Sequence, residues 1–250
     1  MSVAFTELVA PRTGGRVFEH SLRPSLADSA PDGRVRLDAV ARWLQDVAYA
    51  DVADADLAAT SRWVVRRTRL RVRRFPRFGD TVTVRTFCSG LGRMWAERRT
   101  TVVRRGARGA DLEAVALWIH LDPDGVRPTP LHDRELTVFG QAAGDRRVRA
   151  RLRHPGPRDG ARPRPWSFRA TELDLAGHIN NAAYWQPLEE ELLAASPPAS
   201  IDAEMEFRLP SQAGAKTVLR GDDHLWITDP DTGEVHASLA FQAQRPPRSP

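Results

Sequence analysis

Cysteine and lysine are almost missing from this chain of 250 residues: Cys88 and Lys216 each stand alone. A single cysteine rules out a disulfide framework within the chain and argues against a cysteine-based zinc site. Also missing is any run approaching the roughly 20 apolar residues that a membrane-spanning helix needs. The first residues, MSVAFTELVAPRTGG, lack the basic start and apolar core of a secretory signal. The sequence therefore assigns the chain to the cytoplasm. With 41% hydrophobic and 28% charged residues it has the composition of a globular protein able to build a sizeable core, and its length suits two compact halves.

The net charge is +5, and 37 basic residues include only the one lysine. The arginine-for-lysine bias itself reads as codon usage in a GC-rich genome. The positive charge is nonetheless available to an acidic partner, whether nucleic acid, an acidic carrier protein or a phosphorylated cofactor. The arginines are spread over strands and linker without a nucleic-acid motif, so a nucleic-acid partner is not expected.

The hydrophobic pattern occurs twice. From Arg36 to Ala50, Leu37, Val40, Leu44 and Val47 share one face of a helix. Strands follow at Trp63–Phe75, Thr81–Phe87, Trp95–Arg104 and Ala114–Leu121, the last ending in the turn Asp122-Pro123-Asp124-Gly125. A second helix is read over Asn180–Ala194, where Pro187 should kink or restart it. Strands are then expected at Ile201–Leu209, Lys216–Arg220, His224–Thr228 and Glu234–Gln242. The resulting class is α+β, with long antiparallel strands wrapped over a central helix in each half. The boundaries follow: 1–143 and 166–244 for the halves, 144–165 for an Arg/Pro/Gly-rich linker, and 245–250 for a disordered tail.

The densest polar cluster is TELDLAGHINNAAY, Thr171 to Tyr184, where Asp174, His178, Asn180 and Asn181 crowd together before the second helix. A helix start offers unpaired N–H groups to an oxyanion. A neighbouring Asp and His can supply a base, or a nucleophile with its base. Taken alone, the asparagines read equally well as helix caps, Asp174 as a turn residue and His178 as a surface residue.

The segment LDLAGHINNAAYW resembles the D-x-N-x-H-V-N-N-x-x-Y signature of acyl-acyl-carrier-protein thioesterases. In the first half RWVVRRTRLRVRRFPRFGDTVTVRTFCSG, MWAERR and LWIHLD are similar in order and spacing to that family's N-terminal domain. The resemblance spans roughly Phe18 to Gln242. It implies two fused hotdog halves, each a long antiparallel sheet around a central helix, and hydrolysis of fatty acyl-acyl-carrier protein to free fatty acid and carrier thiol. Asp174 is then the acid that attacks the thioester carbonyl or activates water, and His178 orients it and shuttles protons. The family's carboxylate on the following helix falls on Glu190, flanked by Glu189 and Glu191. Where the family carries an Asn between its Asp and His, this chain has Ala176. A backbone N–H at Gly177 or the helix start is expected to stand in for the lost donor. The partner implied is a carrier protein bearing a phosphopantetheine-linked acyl chain, and pairing of two chains stays open. An acyl-CoA hydrolase of the same fold and a silent acyl-binding protein are the alternatives.

No metal or cofactor is expected, since His20, His120, His132, His154, His224 and His236 have no ligand spacing. Cys88 reads as a buried bystander. Aligning Trp43 with Trp185 sets Asp32 opposite Asp174 and Arg36 opposite His178, so a hydrolytic pair is present once. The first half is left to form the acyl pocket. Trp43, Trp63 and Trp95 are candidates for lining that pocket, although core packing explains each of them as well.

Overall fold

The alternating segments of both halves join one ten-stranded sheet, antiparallel throughout, in the order β1-β3-β4-β5-β2-β7-β10-β9-β8-β6. The computed structural model describes residues 5–58, 62–195 and 198–244, so the tail read from 245 to 250 lies outside the described residues. The first five strands are β1 (Phe18–Leu22), β2 (Arg62–Val72), β3 (Val82–Leu91), β4 (Trp95–Arg104) and β5 (Leu112–Leu121). The other five are β6 (Arg162–Phe168), β7 (Ser200–Phe207), β8 (Gly214–Arg220), β9 (His224–Thr228) and β10 (Val235–Gln244). Replacing each of the first five numbers by its counterpart in the second five reverses the order onto itself, with β2 and β7 paired at the centre.

Helix α1 (Leu37–Asp54) buries the stripe Leu37, Val40, Leu44 and Val47. Fully burying such side chains contributes about 1.5–3 kcal/mol each. Helix α3 (Gln186–Ala194) packs beside α1, and both share a core with Leu70 and Val72 of β2 and Ala203 and Met205 of β7. Pro187 lies in the first turn of α3, where its missing N–H costs nothing. It therefore restarts the helix: residues Ala183–Trp185 form a separate 3-10 turn, and the α-helix expected from Asn180 begins only at Gln186.

Three elements have no counterpart in the sequence reading. β1 is an edge strand with a mostly exposed pattern. α2 (Asp133–Ala143) opens on a capping box between His132 and Glu135 and packs Phe139 and Ala142 against the β3 side. β6 begins at Arg162, within the stretch read as linker, and carries Pro163 and Pro165. It is the opposite edge of the sheet, the position where strands tolerate proline.

The other face of the central strands is ionic. Arg67, Arg69 and Arg71 of β2 stand opposite Glu206, Glu204 and Asp202 of β7. Arg69 donates two hydrogen bonds to Asp202, at 2.8 and 2.7 Å. Much of the arginine of the first half is thus neutralised inside the molecule. Residues 146–154 strap across this face. Arg146 pairs with Glu97, Val148 bonds Leu91, and the main-chain N–H groups of Arg153 and His154 donate to Glu206 at 2.6 and 3.0 Å. Under the strap lies Glu204, which is fully buried. Burial pulls its carboxyl upward, but the nearby His154 ring, hydrogen bonds from Thr6 and the Arg153 charge outweigh it and hold the group down at about 2.

A carboxylate held down in this way stabilises the fold above its ordinary range near 4.5. That contribution is lost as pH falls from there towards 2, because the unfolded chain takes up the proton first. Chemical melts between pH 6 and pH 2.5 should lose on the order of 3 kcal/mol from this group. In Glu204→Gln the acid limb should be correspondingly shallower. An unchanged limb would show that Glu204 is not the group responsible.

Candidate functional site

Asp174 and His178 close a tight turn. The Asp174 N–H donates to the His178 carbonyl at 2.8 Å, and the Gly177 N–H returns to the Asp174 carbonyl at 2.9 Å. Gly177 has φ of 71°, a conformation that side-chain-bearing residues rarely take. The Asp174 carboxylate accepts the Ala176 N–H at 2.9 Å, an Asx turn that fixes where the side chain begins. Asp174 is exposed and His178 half-buried. No hydrogen bond joins the two side chains among the described residues.

The turn is clamped from both sides. The Ile179 N–H donates to the Ser211 carbonyl and the Asn180 N–H to the Glu172 carbonyl. Asn180 exchanges amide hydrogen bonds with Gln45 of α1, at 3.0 and 3.2 Å, and accepts the Ala182 N–H at 2.9 Å. Asn180 is not the helix cap its residue type suggests, since Ala182 and Trp185 take the cap positions; it closes an Asx turn before them and bridges to α1. The expected backbone donors are already engaged: Ala176 and Gly177 bond Asp174, and Ile179, Asn180, Ala182 and Ala183 are all bonded within the fold.

The same turn exists once more, earlier in the chain. The bridge Leu173–Ile179 repeats the bridge Ser29–Val35, a shift of 144 residues at both ends. The Ala30 N–H bonds the Arg34 carbonyl and the Gly33 N–H bonds the Ala30 carbonyl, with Gly33 at φ 84°. Ala30 thus occupies the place of Asp174, and Arg34 that of His178. This corrects the register obtained by aligning the tryptophans, which placed Asp32 and Arg36 there. The backbone pattern sets the correspondence, and the 3-10 turn before α3 displaces Trp185 from it. Arg36 instead precedes α1 and pairs with Asp38.

Beside α1 lies a small apolar cavity of about 30 Å³, room for about one water molecule. Ala48, Tyr49 and Val52 of α1 face Trp63, Trp118 and Phe139 across it. Of the three candidate tryptophans, Trp63 lines it; Trp43 is in the shared core, and Trp95 donates its indole N–H to the Val148 carbonyl. Arg98 reaches the wall with its charge bound to Asp51 at 2.5 Å. Cys88 also lines the cavity, and burial pushes its thiol up to about 11. It remains protonated and unreactive near neutral pH.

Glu190 stands elsewhere. It is exposed and lines an open groove with Arg36, Trp166, Arg169 and Glu172, a groove that neither Asp174 nor His178 lines. Its neighbour Glu189 is buried, bound to Arg34 at 2.6 Å and accepting the Leu37 N–H at 2.9 Å. Tyr49 and Gln45 had no role in the sequence reading. A polar Gln and a Tyr one turn apart beside an otherwise apolar stripe were the available signal.

One group among the described residues brings metal-ligating atoms together: His154, Glu204 and Glu206, within 4.8 Å of one another. Glu204 already accepts the Thr6 N–H at 2.8 Å and Arg153 at 2.9 Å, and both Glu206 oxygens accept main-chain N–H groups. A cation there would have to displace these donors and compete with Arg153 and Arg208. The donor set fits a buried ionic lock better than a metal centre.

Comparisons with known proteins set this antiparallel sheet and its packed helices beside thioesterases. Residues 15–137 match the family described as Acyl-ACP thioesterase N-terminal domain. The match covers just under half of the chain, the part in which the first-half motifs resemble that family. An uncharacterised protein of Mycobacterium tuberculosis is 29% identical over 220 residues, 87% of each chain. Among solved structures, an acyl-ACP thioesterase of Bacteroides thetaiotaomicron superposes with a TM-score of 0.73 at 15% identity, covering 90% of this chain and 98% of that one. The 12:0-ACP thioesterase of Umbellularia californica gives 0.70 at 18% identity, covering 91% and 98%. At these identities the structures establish a shared fold. Together with the family match they support a thioester hydrolase.

Proposed function

We propose that the protein hydrolyses the thioester of fatty acyl-acyl-carrier protein with Asp174 and His178. The observation that carries this is the Gln45–Asn180 clamp, which fixes the acid–histidine turn against the same helix, α1, that covers the apolar cavity. An acyl chain seated here would part the cavity walls, and its thioester would have to reach the turn, which does not itself line the cavity. Asp174 takes a proton from water as the water oxygen attacks the carbonyl carbon. The C–S bond then breaks, and the thiol leaves with a proton relayed by His178. The products are a fatty acid and the carrier thiol.

In this reading the chain is two fused hotdog halves, 1–143 and 166–244, supported by the self-reversing strand order and the repeated turn. Ala30 and Arg34 leave the first turn without an acid–histidine pair, so one site serves the molecule. An acidic carrier docks by charge in the cytoplasm. Glu190, on the other groove, contributes at most through the carrier side. A second reading, a silent acyl-binding protein, is favoured by Ala176 and by the engagement of the surrounding backbone donors.

The test is release of free thiol from octanoyl to stearoyl carrier protein and from the matching acyl-CoAs. Faster turnover of the carrier substrates is expected. Faster turnover of the CoA series would reassign the substrate, and binding of acyl chains without turnover by the wild type would establish the silent reading.

A further inference from the structure

Most main-chain donors beside Asp174 are spent, and the His178 and Asn181 N–H groups are among the few that make no hydrogen bond within the described residues. Ala176 offers only a methyl group, and the N–H groups of Ala176, Gly177, Ile179 and Asn180 are bonded within the fold. Developing negative charge on the carbonyl oxygen of a bound thioester needs a donor, and such donors are among the largest contributors to acyl-transfer rates. A side-chain donor from outside the turn would add to the few N–H groups left free in it.

Tyr49 is the candidate. It lies one helical turn beyond Gln45 on α1, and residues four apart share a helix face. Gln45 holds Asn180, two residues past His178. The Tyr49 ring lines the cavity and packs edge-on against Trp118 with centroids 6.2 Å apart. Tyr49 is 53% exposed, and its hydroxyl makes no hydrogen bond among the described residues. The ring thus packs on Trp118 and the cavity wall while its polar tip is left without a partner among the described residues.

We propose that Tyr49 is a catalytic residue whose hydroxyl donates to the thioester carbonyl oxygen, supplying from the first half the donor that Ala176 does not supply from the second. This rests on the thioesterase reading and deepens it. Partial burial of the ring, and then the charge of Asp174, both push the phenol above its ordinary range. It therefore stays protonated at neutral pH, the form a donor needs. The Trp118 contact sets the ring plane, so the tip is aimed by packing.

Tyr49→Phe preserves the ring and its packing on Trp118 and removes only the hydroxyl. On the best acyl thioester, kcat should fall about 10²-fold while KM stays near the wild-type value. Adding Ala176→Asn to Tyr49→Phe should restore part of kcat, because a donor returns from the other side. Unchanged kcat in Tyr49→Phe, in a wild type whose activity depends on Asp174, overturns the Tyr49 proposal and leaves the thioesterase reading intact. A rise in KM alone overturns it too, assigning the hydroxyl to chain binding. A wild type that cleaves no acyl thioester removes the parent reading instead.

Discussion

Replacing Asp174 with Asn should leave the protein folded and lower kcat about 10³–10⁴-fold, the upper range for loss of a positioned general base. The substitution is chosen for what it keeps. Asn retains the side-chain oxygen that accepts the Ala176 N–H at 2.9 Å, so the Asx turn and the Asp174–His178 backbone pairing survive. What disappears is the negative charge and the ability to take a proton. The melting temperature should move little, since the side chain is exposed and surface changes away from packing are usually within about 0.5 kcal/mol. Thiol release and a thermal melt on the same preparation read both quantities. His178→Gln should also lower kcat by about 10²-fold or more, with a fold that melts like the wild type. Wild-type turnover in Asp174→Asn would remove this turn from the chemistry. A large drop in melting temperature would instead mean that the acid acts through structure.

The strands were legible because most are runs of β-forming residues bounded by turn residues. β4 and β9 have the boundaries read from the sequence, Trp95–Arg104 and His224–Thr228, although both are largely buried on their two faces. The missing elements are those for which local pattern carries least information. β6 is interrupted by two prolines, and only its place at the sheet edge against β8 makes it a strand. β1 shows mainly exposed side chains and is likewise an edge. The stretch 144–165 has the composition of a linker, but its backbone N–H groups and Arg153 meet the buried carboxylates of β7. No local signal could show that partnership, because it joins residues about 50 positions apart.

For the site, the sequence supplied the motif and the structure supplied its surroundings. Asp174 and His178 are in one turn because Gly177 permits it, and that much follows from DLAGH itself. The clamp from Gln45 is a contact between residues 135 positions apart, and nothing near either residue announces it. The register of the internal repeat shows a different limit. Matching the conspicuous residue, tryptophan, placed Arg36 opposite His178. The hydrogen-bond pattern around Gly33 and Gly177 places Arg34 there, because a turn is defined by its backbone and a tryptophan can be moved along by one irregular helix start.

That register has an energetic consequence, which leads to the second large effect. Arg34, in the place of His178, is bound to Glu189 at 2.6 Å, and both side chains are 3% exposed. Glu189 also accepts the otherwise unpaired Leu37 N–H at the start of α1, so one carboxylate ties α3, the first turn and α1 together. Glu189→Leu should destabilise the protein by about 3–5 kcal/mol, the cost of breaking a buried pair, lowering the melting temperature by roughly 10 °C. Arg34→Met should cost less, and the reason is an asymmetry of protonation. An arginine left alone cannot lose its charge, and its Nε and Nη1 already lack partners. A glutamate left alone can take a proton. Burial already pushes the Glu189 carboxyl upward against the opposing pull of Arg34, and without Arg34 nothing of comparable strength restrains it. Its folded-state pKa then lies above the unfolded value, so the penalty in Arg34→Met is present at high pH and shrinks as pH falls through that raised pKa. The penalty in Glu189→Leu should show no such relief. Melts of both variants at pH 8 and pH 5.5 separate the two: equal losses at both pH values in Arg34→Met would mean that Glu189 finds another partner when Arg34 is gone.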